Sequence, residues 1–328
     1  MKDFHPGVLD IDPDFEIERI TGAIKTQTLK IFNKRGIVTA VSGGVDSSLT
    51  AALSARALGT NRVVVLCLPE RESDPKSTRL GKLLANHLDV QLIIEDISPV
   101  LEAFGCYKHR EEAVKRIFPE FTTGYKYKIV LPQNLMETGR LNTYFLVIED
   151  PDGQRKTKRL PPMELLEIIA STNHKQRTRK QYEYYHADRL GYAVAGTPNR
   201  LEYDQGFFVK GGDGLADLKP IVHLYKSQVY ALAHHLKLPD EIISQIPSTD
   251  TYSLEQTQEE FYFSLSYDKL DLILWALNHD VPASDVADVM GYTETQVQRV
   301  YTDIQQKRRT TSYLHRVLFV EPVPEIAV

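Results

Sequence analysis

The stretch "GIVTAVSGGVDSS", residues 36–48, decides the fold class of this chain. The apolar run at 37–41 is rich in β-branched residues and predicts a buried strand. Ser-Gly-Gly follows at once, and the apolar spacing after it predicts a helix over 47–58. A strand, a glycine turn and a helix in direct succession are typical of an α/β protein.

The loop after the predicted strand has the composition of an anion site. Gly43 and Gly44 would let the backbone approach a ligand closely, and the N-terminus of the following helix favours negative charge. Asp46 is the exception, because a carboxylate beside a phosphate needs a divalent cation between them; its presence predicts Mg²⁺. No lysine follows the glycines, which excludes the phosphate loop of kinases and GTPases. Taken alone, Ser-Gly-Gly is equally compatible with a tight strand-to-helix turn.

Strands and helices alternate along much of the chain. A helix over about 17–33 comes first, and the runs "RVVVLCLP", "VQLIIEDI" and "GYAVAGT" predict further strands separated by helices such as "PKSTRLGKLLANHL". Such βαβ units predict an α/β fold with a doubly wound, mostly parallel sheet that helices cover on both faces. The 328 residues are interpreted as one domain, 1–328.

Residues from about 125 to 162 interrupt this pattern. "NTYFLVIED" and "QRKTKRLP" predict two strands joined at "PDG", where Gly153 can take positive φ, so a β-hairpin insertion is expected. The second arm is basic, and we interpret it as a solvated edge rather than a phosphate grip. The basic residues are Arg155, Lys156, Lys158 and Arg159.

A helical portion is predicted from about 265 to 315. Ser284 and Thr293 are expected to cap helices, and Gly291 lies between two of them. Two helices joined at a glycine also resemble a DNA-binding helix-turn-helix. The formal net charge of −5 favours helical packing instead, with no nucleic-acid partner.

Composition places the chain among ordinary globular proteins. Apolar residues make up 42% and charged residues 25%. Cys67 and Cys106 are interpreted as core residues of a protein in a reducing compartment. With no signal-peptide pattern and no apolar run of about 20 residues, we expect a cytoplasmic protein without a membrane partner.

Several motifs in order carry a resemblance to a known family. Ser-Gly-Gly-x-Asp-Ser at 42–47 resembles the PP-loop of the ATP pyrophosphatases, and later motifs resemble the NAD synthetases among them, of the ammonia-dependent type. The match covers nearly all of the chain except the insertion and the two tails. The later motifs are "NHKQRTR" (173–179), "GTPNRLEYDQGFFVKGGDGLADLKPI" (196–221), "LYKSQV" (224–229), "PSTD" (247–250), "QTQEE" (256–260) and "KR" (307–308).

This resemblance implies an adenine nucleotide α-hydrolase-like fold and a set of site residues. Asp46 and Glu202 would hold Mg²⁺, and Asp46 and Lys226 would be catalytic, with Lys226 facing the leaving pyrophosphate. The implied ATP-binding residues are Ser42, Gly43, Gly44, Val45, Asp46, Ser47, Ser48, Thr197, Lys226 and Ser248. The implied residues for deamido-NAD are Arg177, Lys210, Asp217, Gln306 and Lys307.

The implied reaction amidates deamido-NAD through an adenylated carboxylate, with ATP as co-substrate. Neither cysteine has surroundings that resemble a glutaminase nucleophile, so ammonia would arrive free or from a separate glutaminase. The family also implies a homodimer.

Departures from the family pattern keep other hypotheses open. Pro198 follows Gly-Thr, Gln306 stands where His is common, and the insertion is longer than a minimal enzyme needs. A paralogue that adenylates or amidates another carboxylic acid is therefore a second hypothesis. A nucleotide-binding regulator that contacts DNA through its C-terminal helices is a third.

Overall fold

The computed structural model describes residues 4–131, 144–245, 252–254, 262 and 265–316. The first half forms α1 Pro13–Thr26, β1 Ile37–Ala40, α2 Val45–Leu58, β2 Val63–Cys67, α3 Pro75–Leu88, β3 Gln91–Ile94, α4 Ser98–Phe104, α5 Cys106–Ile117 and β4 Lys126–Val130. The second half forms β5 Phe145–Glu149, β6 Arg155–Arg159, α6 Pro162–Leu190, β7 Ala193–Val194, α7 Arg200–Gln205, α8 Lys226–His235, α9 Asp240–Ile243, α10 Tyr267–Asn278, α11 Ala283–Met290 and α12 Glu294–Thr311. A π-helical turn, Gln27–Ile31, extends α1.

A parallel sheet with strand order β3-β2-β1-β7 organises the molecule and confirms the predicted fold class. The chain moves outward from β1 through β2 to β3, then returns on the other side of β1 as β7. The direction of winding therefore reverses at β1. In open α/β sheets, ligands bind at such a reversal, outside the carboxyl ends of the strands.

Alternate residues of the strands pack on opposite faces of this sheet. Ile37 and Val63 face a core built with α1, α2, α3 and α8. Val38 and Val64 face a second core built with α4, α5 and α6. Because both faces are covered, the inner strands β1 and β2 are buried and almost entirely apolar, whereas the edge strand β3 is partly exposed.

The insertion is a three-stranded antiparallel sheet with the order β4-β5-β6. Its β5–β6 hairpin confirms the predicted one, and Gly153 takes φ +81° in the turn. β4 is a third strand that the hairpin prediction did not include. All of β6 is exposed, and its Arg155 and Lys156 pair with Glu149 at 2.7 Å and Glu120 at 2.9 Å, which agrees with a solvated edge.

The C-terminal helices α10, α11 and α12 form their own core. Val286 of α11 and Val297 of α12 are fully buried in it, so these two helices pack against the protein as predicted. Thr293 caps α12, because its side chain accepts from the Gln296 N–H, while Gln296 closes the capping box. The expected Ser284 cap is wrong: α11 begins directly after Pro282, whose ring fixes a helix-compatible φ, and the Ser284 hydroxyl bonds to Asp285.

Cys67 and Cys106 are buried free thiols, as predicted. Within the described residues, none of the helices combines the length and the apolarity needed to cross a bilayer.

Candidate active site

A cleft of about 460 Å³ opens at the carboxyl ends of β1, β2 and β7. Along one side it follows α6, whose lining residues run from Leu165 to Glu183, a distance of about 27 Å at the rise of an α-helix. The insertion closes one end of the cleft with Ile129 and Tyr144. The loop after β1 lies at the other end, beside Glu183, whose carboxylate is hydrogen-bonded by the Ala40 backbone.

The anion loop, residues 42–47, has the geometry that its glycines and serines predict. Gly43 takes φ +82°, and a Cβ there would lie 2.9 Å from Leu80 Cβ, so both conformation and space call for glycine. The Ser47 hydroxyl donates to Gly44 O at 3.1 Å and accepts from the Ser42 N–H at 3.3 Å. These bonds fix the turn that aims the N-terminus of α2 at the cleft.

The predicted loop residues divide into two groups. Ser42, Gly44, Asp46 and Ser47 line the cleft. Val45 is buried in the core below α2, and the buried Ser48 donates its hydroxyl to Gly44 O at 2.8 Å. Ser48 and Val45 thus support the loop from behind.

Asp46 is the centre of a group that we call the cleft cluster: Asp46, Asn199, Glu202 and Lys226. Asn199 Nδ2 donates to Asp46 Oδ1 at 2.9 Å, and the ammonium of Lys226 forms an ion pair with Asp46 Oδ2. Asn199 also caps α7: its side chain accepts from the Glu202 N–H, and Glu202 accepts from the Asn199 N–H, both at 3.1 Å. A single capping box therefore fixes Asn199 against one carboxylate and Glu202 beside it.

The net charge of the cleft cluster depends on the protonation of Glu202. Burial, and next the negative charge of Asp46, raise the pKa of Glu202 to about 8. Burial opposes the charge of Lys226, but Asp46 and Glu202 outweigh it and raise the pKa of this ammonium. Near neutral pH Glu202 is therefore mostly protonated, and Asp46 and Lys226 balance each other; a second negative charge appears only when Glu202 ionises.

Asp271 holds the backbone of Lys226 in position by hydrogen bonding. Its carboxylate accepts from the N–H groups of Lys226 at 3.2 Å and Ser227 at 2.7 Å, so it caps the N-terminus of α8 from a neighbouring helix. Burial raises the pKa of Asp271 to about 6 even though these N–H groups favour its charged form. Asp271 is itself fully buried.

Sequence reasoning missed Asn199 and Asp271. The Asn-x-x-Glu spacing of Asn199 and Glu202 is a capping-box signature that could have identified the first. Nothing in the local sequence points to Asp271, because its partners are distant in the chain. Lys226 lies 45 residues before it and Ser227 lies 44 residues before it.

Of the remaining predicted ATP residues, Thr197 lines the cleft beside Pro198, while Ser248 lies outside the described residues together with the motifs "PSTD" and "QTQEE". Arg179, Lys180, Glu183 and Asp213 also line the cleft, though none was predicted. Lys180 pairs with Glu183 at 2.8 Å, and burial raises the pKa of both Glu183 and Asp213. This wall of the cleft is therefore polar and densely charged.

The residues predicted for the second substrate are dispersed in this structure. Exposed Arg177 donates to Lys210 O at 3.2 Å, and Lys210 Nζ donates to two backbone carbonyls of the C-terminal segment, Tyr313 O at 3.0 Å and Arg316 O at 2.8 Å. Lys307 pairs with Asp303 and donates to the backbone of Tyr262, a residue that lines the cleft.

Asp217 and Gln306 complete this predicted set. Asp217 accepts from the Val194 N–H at 2.8 Å and from the hydroxyl of Tyr184 at 3.2 Å. Gln306 is exposed on α12. None of the five residues lines the cleft, so their roles stay predictions.

Comparisons with known proteins agree on one family. The sequence profile described as NAD synthase matches residues 16–121 and 135–311 of this chain. The NH(3)-dependent NAD(+) synthetase of Rhizobium meliloti (strain 1021) is 52% identical over 324 residues, which cover 98% of this chain and 96% of the relative. The unmatched residues 122–134 contain β4 of the insertion.

Two solved structures share the fold at low identity. The NH3-dependent NAD synthetase from Campylobacter jejuni, in complex with the nitrate ion, has a TM-score of 0.61 at 21% identity and covers 95% of this chain and 100% of its own. The NMN synthetase from Francisella tularensis has a TM-score of 0.64 at 20% identity, with 96% and 100% covered. Since the names of these neighbours differ in the product, the fold by itself leaves the acceptor open.

The sheet reversal, the glycine loop after β1 and the charged cleft define an α/β protein of the PP-loop class. The extent of the profile match and the identity to the Rhizobium meliloti relative narrow this class further. The chain belongs to the NAD synthase family.

Proposed function

We propose that the protein is an ammonia-dependent NAD synthetase, which amidates deamido-NAD at the expense of ATP and releases AMP and pyrophosphate. The observation that carries the proposal is the 52% identity, across 98% of the chain, to a relative named for this reaction. The cleft supports it, because it joins an anion loop to two carboxyl groups, Asp46 and Glu202, that open into the same space.

The chemistry requires activation of an unreactive carboxylate. The carboxylate oxygen of deamido-NAD attacks the α-phosphate of ATP, and the bond from that phosphorus to the bridging oxygen of pyrophosphate breaks. Ammonia then attacks the acyl carbon of the mixed anhydride and AMP leaves. No protein nucleophile takes part, so orientation and neutralisation of charge supply the catalysis.

The residues of the anion loop and the cleft cluster have separate tasks in this scheme. The backbone N–H groups and hydroxyls of residues 42–47 bind the pyrophosphate that will leave. Lys226 stabilises the negative charge that grows on this leaving group, and Asn199 keeps Asp46 in place. Thr197 lines the same cleft and contacts the nucleotide.

The carboxylates present fit a magnesium ion. Asp46 and Glu202 both line the cleft, and the charge of Asp46 helps to raise the pKa of Glu202, so the pair favours a cation between them. Mg²⁺ commonly uses one or two protein carboxylates together with substrate phosphates, and this pair offers that number. When bound, Mg²⁺ would neutralise phosphate charge beside Asp46 and Glu202.

Free ammonia is the proposed nitrogen donor. Burial raises the pKa of Cys67 to about 11 and also raises the pKa of Cys106, so both thiols stay protonated and are poor nucleophiles. A glutaminase activity would need a reactive thiolate or a separate protein. Buried free thiols also suit the cytoplasmic location that we propose.

A homodimer is the proposed assembly. Met163 and Leu166 on α6 are 79% and 67% exposed, and Phe104 at the end of α4 is 60% exposed. Apolar side chains this exposed on neighbouring helices are typical of an interface. Light scattering after size exclusion would give twice the 37.3 kDa chain mass, and a monomer at assay concentration would contradict it.

The reaction is tested with purified protein, ATP, Mg²⁺, ammonium and deamido-NAD, measuring NAD and AMP. Equal amounts of both products are expected, with neither formed when the acceptor is omitted. Parallel reactions contain glutamine instead of ammonium, or nicotinate mononucleotide and other carboxylic acids instead of deamido-NAD. AMP that appears only with another acceptor would favour the paralogue hypothesis, and no AMP with any acceptor would contradict both enzyme proposals.

A further inference from the structure

A second group of buried charges lies behind the cleft, and we call it the loop cluster: Glu70, Glu72, Arg110 and Lys175. Lys175 Nζ of α6 donates to Glu70 Oε1 at 2.8 Å and to Glu72 Oε2 at 2.9 Å. Arg110 of α5 donates to the same Glu72 oxygen at 2.6 Å. The side chains of Lys175 and Glu70 are only 2% and 1% exposed, so these ions are removed from water.

Both glutamates belong to the segment between β2 and α3, residues 68–74, which we call the β2–α3 loop. The loop is folded on itself, since the Ser73 N–H donates to Glu70 O at 2.9 Å and the Glu72 N–H donates to Glu70 Oε2 at 3.1 Å. Tyr107 of α5 donates its hydroxyl to that same carboxylate oxygen at 2.7 Å. Each of these two glutamates is therefore fixed by one side chain of α5 and one of α6.

A second side chain of α6 holds the loop from its other side. Arg179, one helical turn beyond Lys175, donates to Leu68 O at 3.2 Å and to the hydroxyl of Ser73 at 3.3 Å. Lys175 thus binds the side chains of the loop, while Arg179 binds its beginning and end. The helix α6 therefore contacts both the carboxylates and the two ends of the loop.

The face of the loop turned away from the loop cluster forms part of the cleft. Leu68, Pro69 and Ser73 line it, followed by Ser77 and Thr78 at the start of α3. Because β1 and β2 are neighbouring parallel strands, this loop lies next to the anion loop at the same edge of the sheet. A nucleotide whose phosphates occupy the anion loop would place its nucleoside against the β2–α3 loop.

We propose that Lys175 is a positioning residue that holds the β2–α3 loop in its ATP-binding conformation before ATP arrives. Lys175 does not line the cleft and acts through Glu70 and Glu72. The assignment of ATP as the ligand rests on the proposed function.

The arrangement favours this role over stabilisation alone. A buried ion cluster adds little net stability compared with an apolar cluster of the same volume, but it defines one geometry because its hydrogen bonds are directional. Burial opposes the charge of Lys175, yet its glutamates outweigh burial and raise its pKa, so it stays cationic. A loop that is ordered in advance loses less conformational entropy when a ligand binds, which appears as tighter binding.

The test compares ATP binding in Lys175→Met with that in Arg116→Met. Arg116 also links α5 to α6, through Glu164 and Glu167, but at a distance from the loop, so it is the matched control. Titration with a non-hydrolysable ATP analogue and Mg²⁺, without acceptor, is expected to show at least tenfold weaker binding for Lys175→Met and unchanged binding for Arg116→Met. In steady state, KM for ATP rises by a similar factor while kcat changes by less than threefold.

A charge-balanced double variant guards against simple unfolding. Lys175→Met with Glu70→Gln leaves Glu72 paired with Arg110 and keeps an acceptor for Tyr107, but it removes the bonds from Lys175 to the loop glutamates while those of Arg179 remain. The folded double variant should keep the weaker ATP binding. Unchanged ATP binding in either folded variant would overturn the proposal, as would a fall in kcat with KM for ATP unaltered.

Trypsin supplies a readout that is independent of catalysis. Arg71 lies in the β2–α3 loop with a side chain 42% exposed, and its backbone resists cleavage only while the loop is held. Lys175→Met should be cut after Arg71 faster than wild type, with protection by the ATP analogue; equal cleavage rates would contradict the proposal. Since neither binding nor cleavage needs deamido-NAD, an inactive enzyme would refute the proposed function without refuting this one.

Discussion

Two buried lysines, Lys226 and Lys175, each lie between two carboxyl groups, but the two clusters differ in the number of cations and in access to the cleft. In the cleft cluster, Lys226 alone faces Asp46 and Glu202, and both carboxylates line the cleft. In the loop cluster, Arg110 adds a second cation, so two positive charges meet Glu70 and Glu72. Charged groups that open into a cleft can act on a ligand, whereas a balanced and sealed cluster can only hold the backbone in place.

The largest expected effect is a loss of kcat that occurs when Lys226 is replaced but not when Lys175 is replaced. Lys226→Met should lower kcat about 10²–10³-fold, because a fixed cation no longer faces the leaving pyrophosphate. AMP release at saturating substrates measures it, with Lys175→Met as the comparison. Equal losses of kcat in the two variants would remove the distinction between the clusters.

A pH effect of intermediate size is expected at Asp271, which supports Lys226. Its folded pKa of about 6 lies above the ordinary value of 3.8, so the folded state binds this proton more tightly than the unfolded chain does. The stability contributed by this group is therefore full below about pH 4 and lost as the pH rises to about 6, a change of about 3 kcal/mol. Urea unfolding at several pH values should show a flatter profile for Asp271→Asn over this interval; parallel profiles would contradict the raised pKa.

A smaller effect is expected in the loop cluster from Tyr107→Phe. The change removes one hydroxyl donor from Glu70 and should lower the free energy of unfolding by about 2 kcal/mol, as for other hydrogen bonds to charged groups. Saturating kcat should be unchanged, since Tyr107 is remote from the reacting atoms. Chemical denaturation and the AMP assay on the same preparation test both points, and a large fall in kcat would assign this cluster a direct part in catalysis.

The smallest expected change in stability comes from Asn199→Ala in the cleft cluster. Loss of the α7 cap should cost about 1 kcal/mol. Because Asp46 also loses a donor, kcat should fall about tenfold, as for other residues that orient a ligand-binding carboxylate. Asn199→Asp keeps a side chain that can cap α7 but repels Asp46, so it is the control for capping. Its stability should return to that of the wild type while its activity stays low. Wild-type activity in this variant would show that only the cap matters.

Much of the fold follows from patterns that are local in the chain. The apolar strands before Ser42 and after Arg62, the hairpin turn at Gly153 and the cap at Thr293 were all predicted because each depends on residues close in sequence. The wrong prediction of a cap at Ser284 also has a local cause. Pro282 lies two residues earlier, and α11 begins directly after it.

The candidate site was predictable where a motif carries its own geometry. The anion loop was found because a glycine turn and a helix N-terminus suffice to define it. Asp271 and the loop cluster were not found, because Asp271 meets Lys226 across 45 residues and Lys175 meets Glu70 across 105. Charged residues in helices usually lie in water, so sequence alone favours exposure for each of them.

The parallel α/β sheet, the anion loop after β1 and membership of the NAD synthase family could all be read from the chain, since strand patterns, glycine turns and ordered motifs are local in sequence. Which charges are buried, which carboxylates open into the cleft and which lysine lies beside them became known only from the folded molecule. The physical reason is that desolvation and charge pairing depend on what folds against a side chain, and those partners come from distant segments.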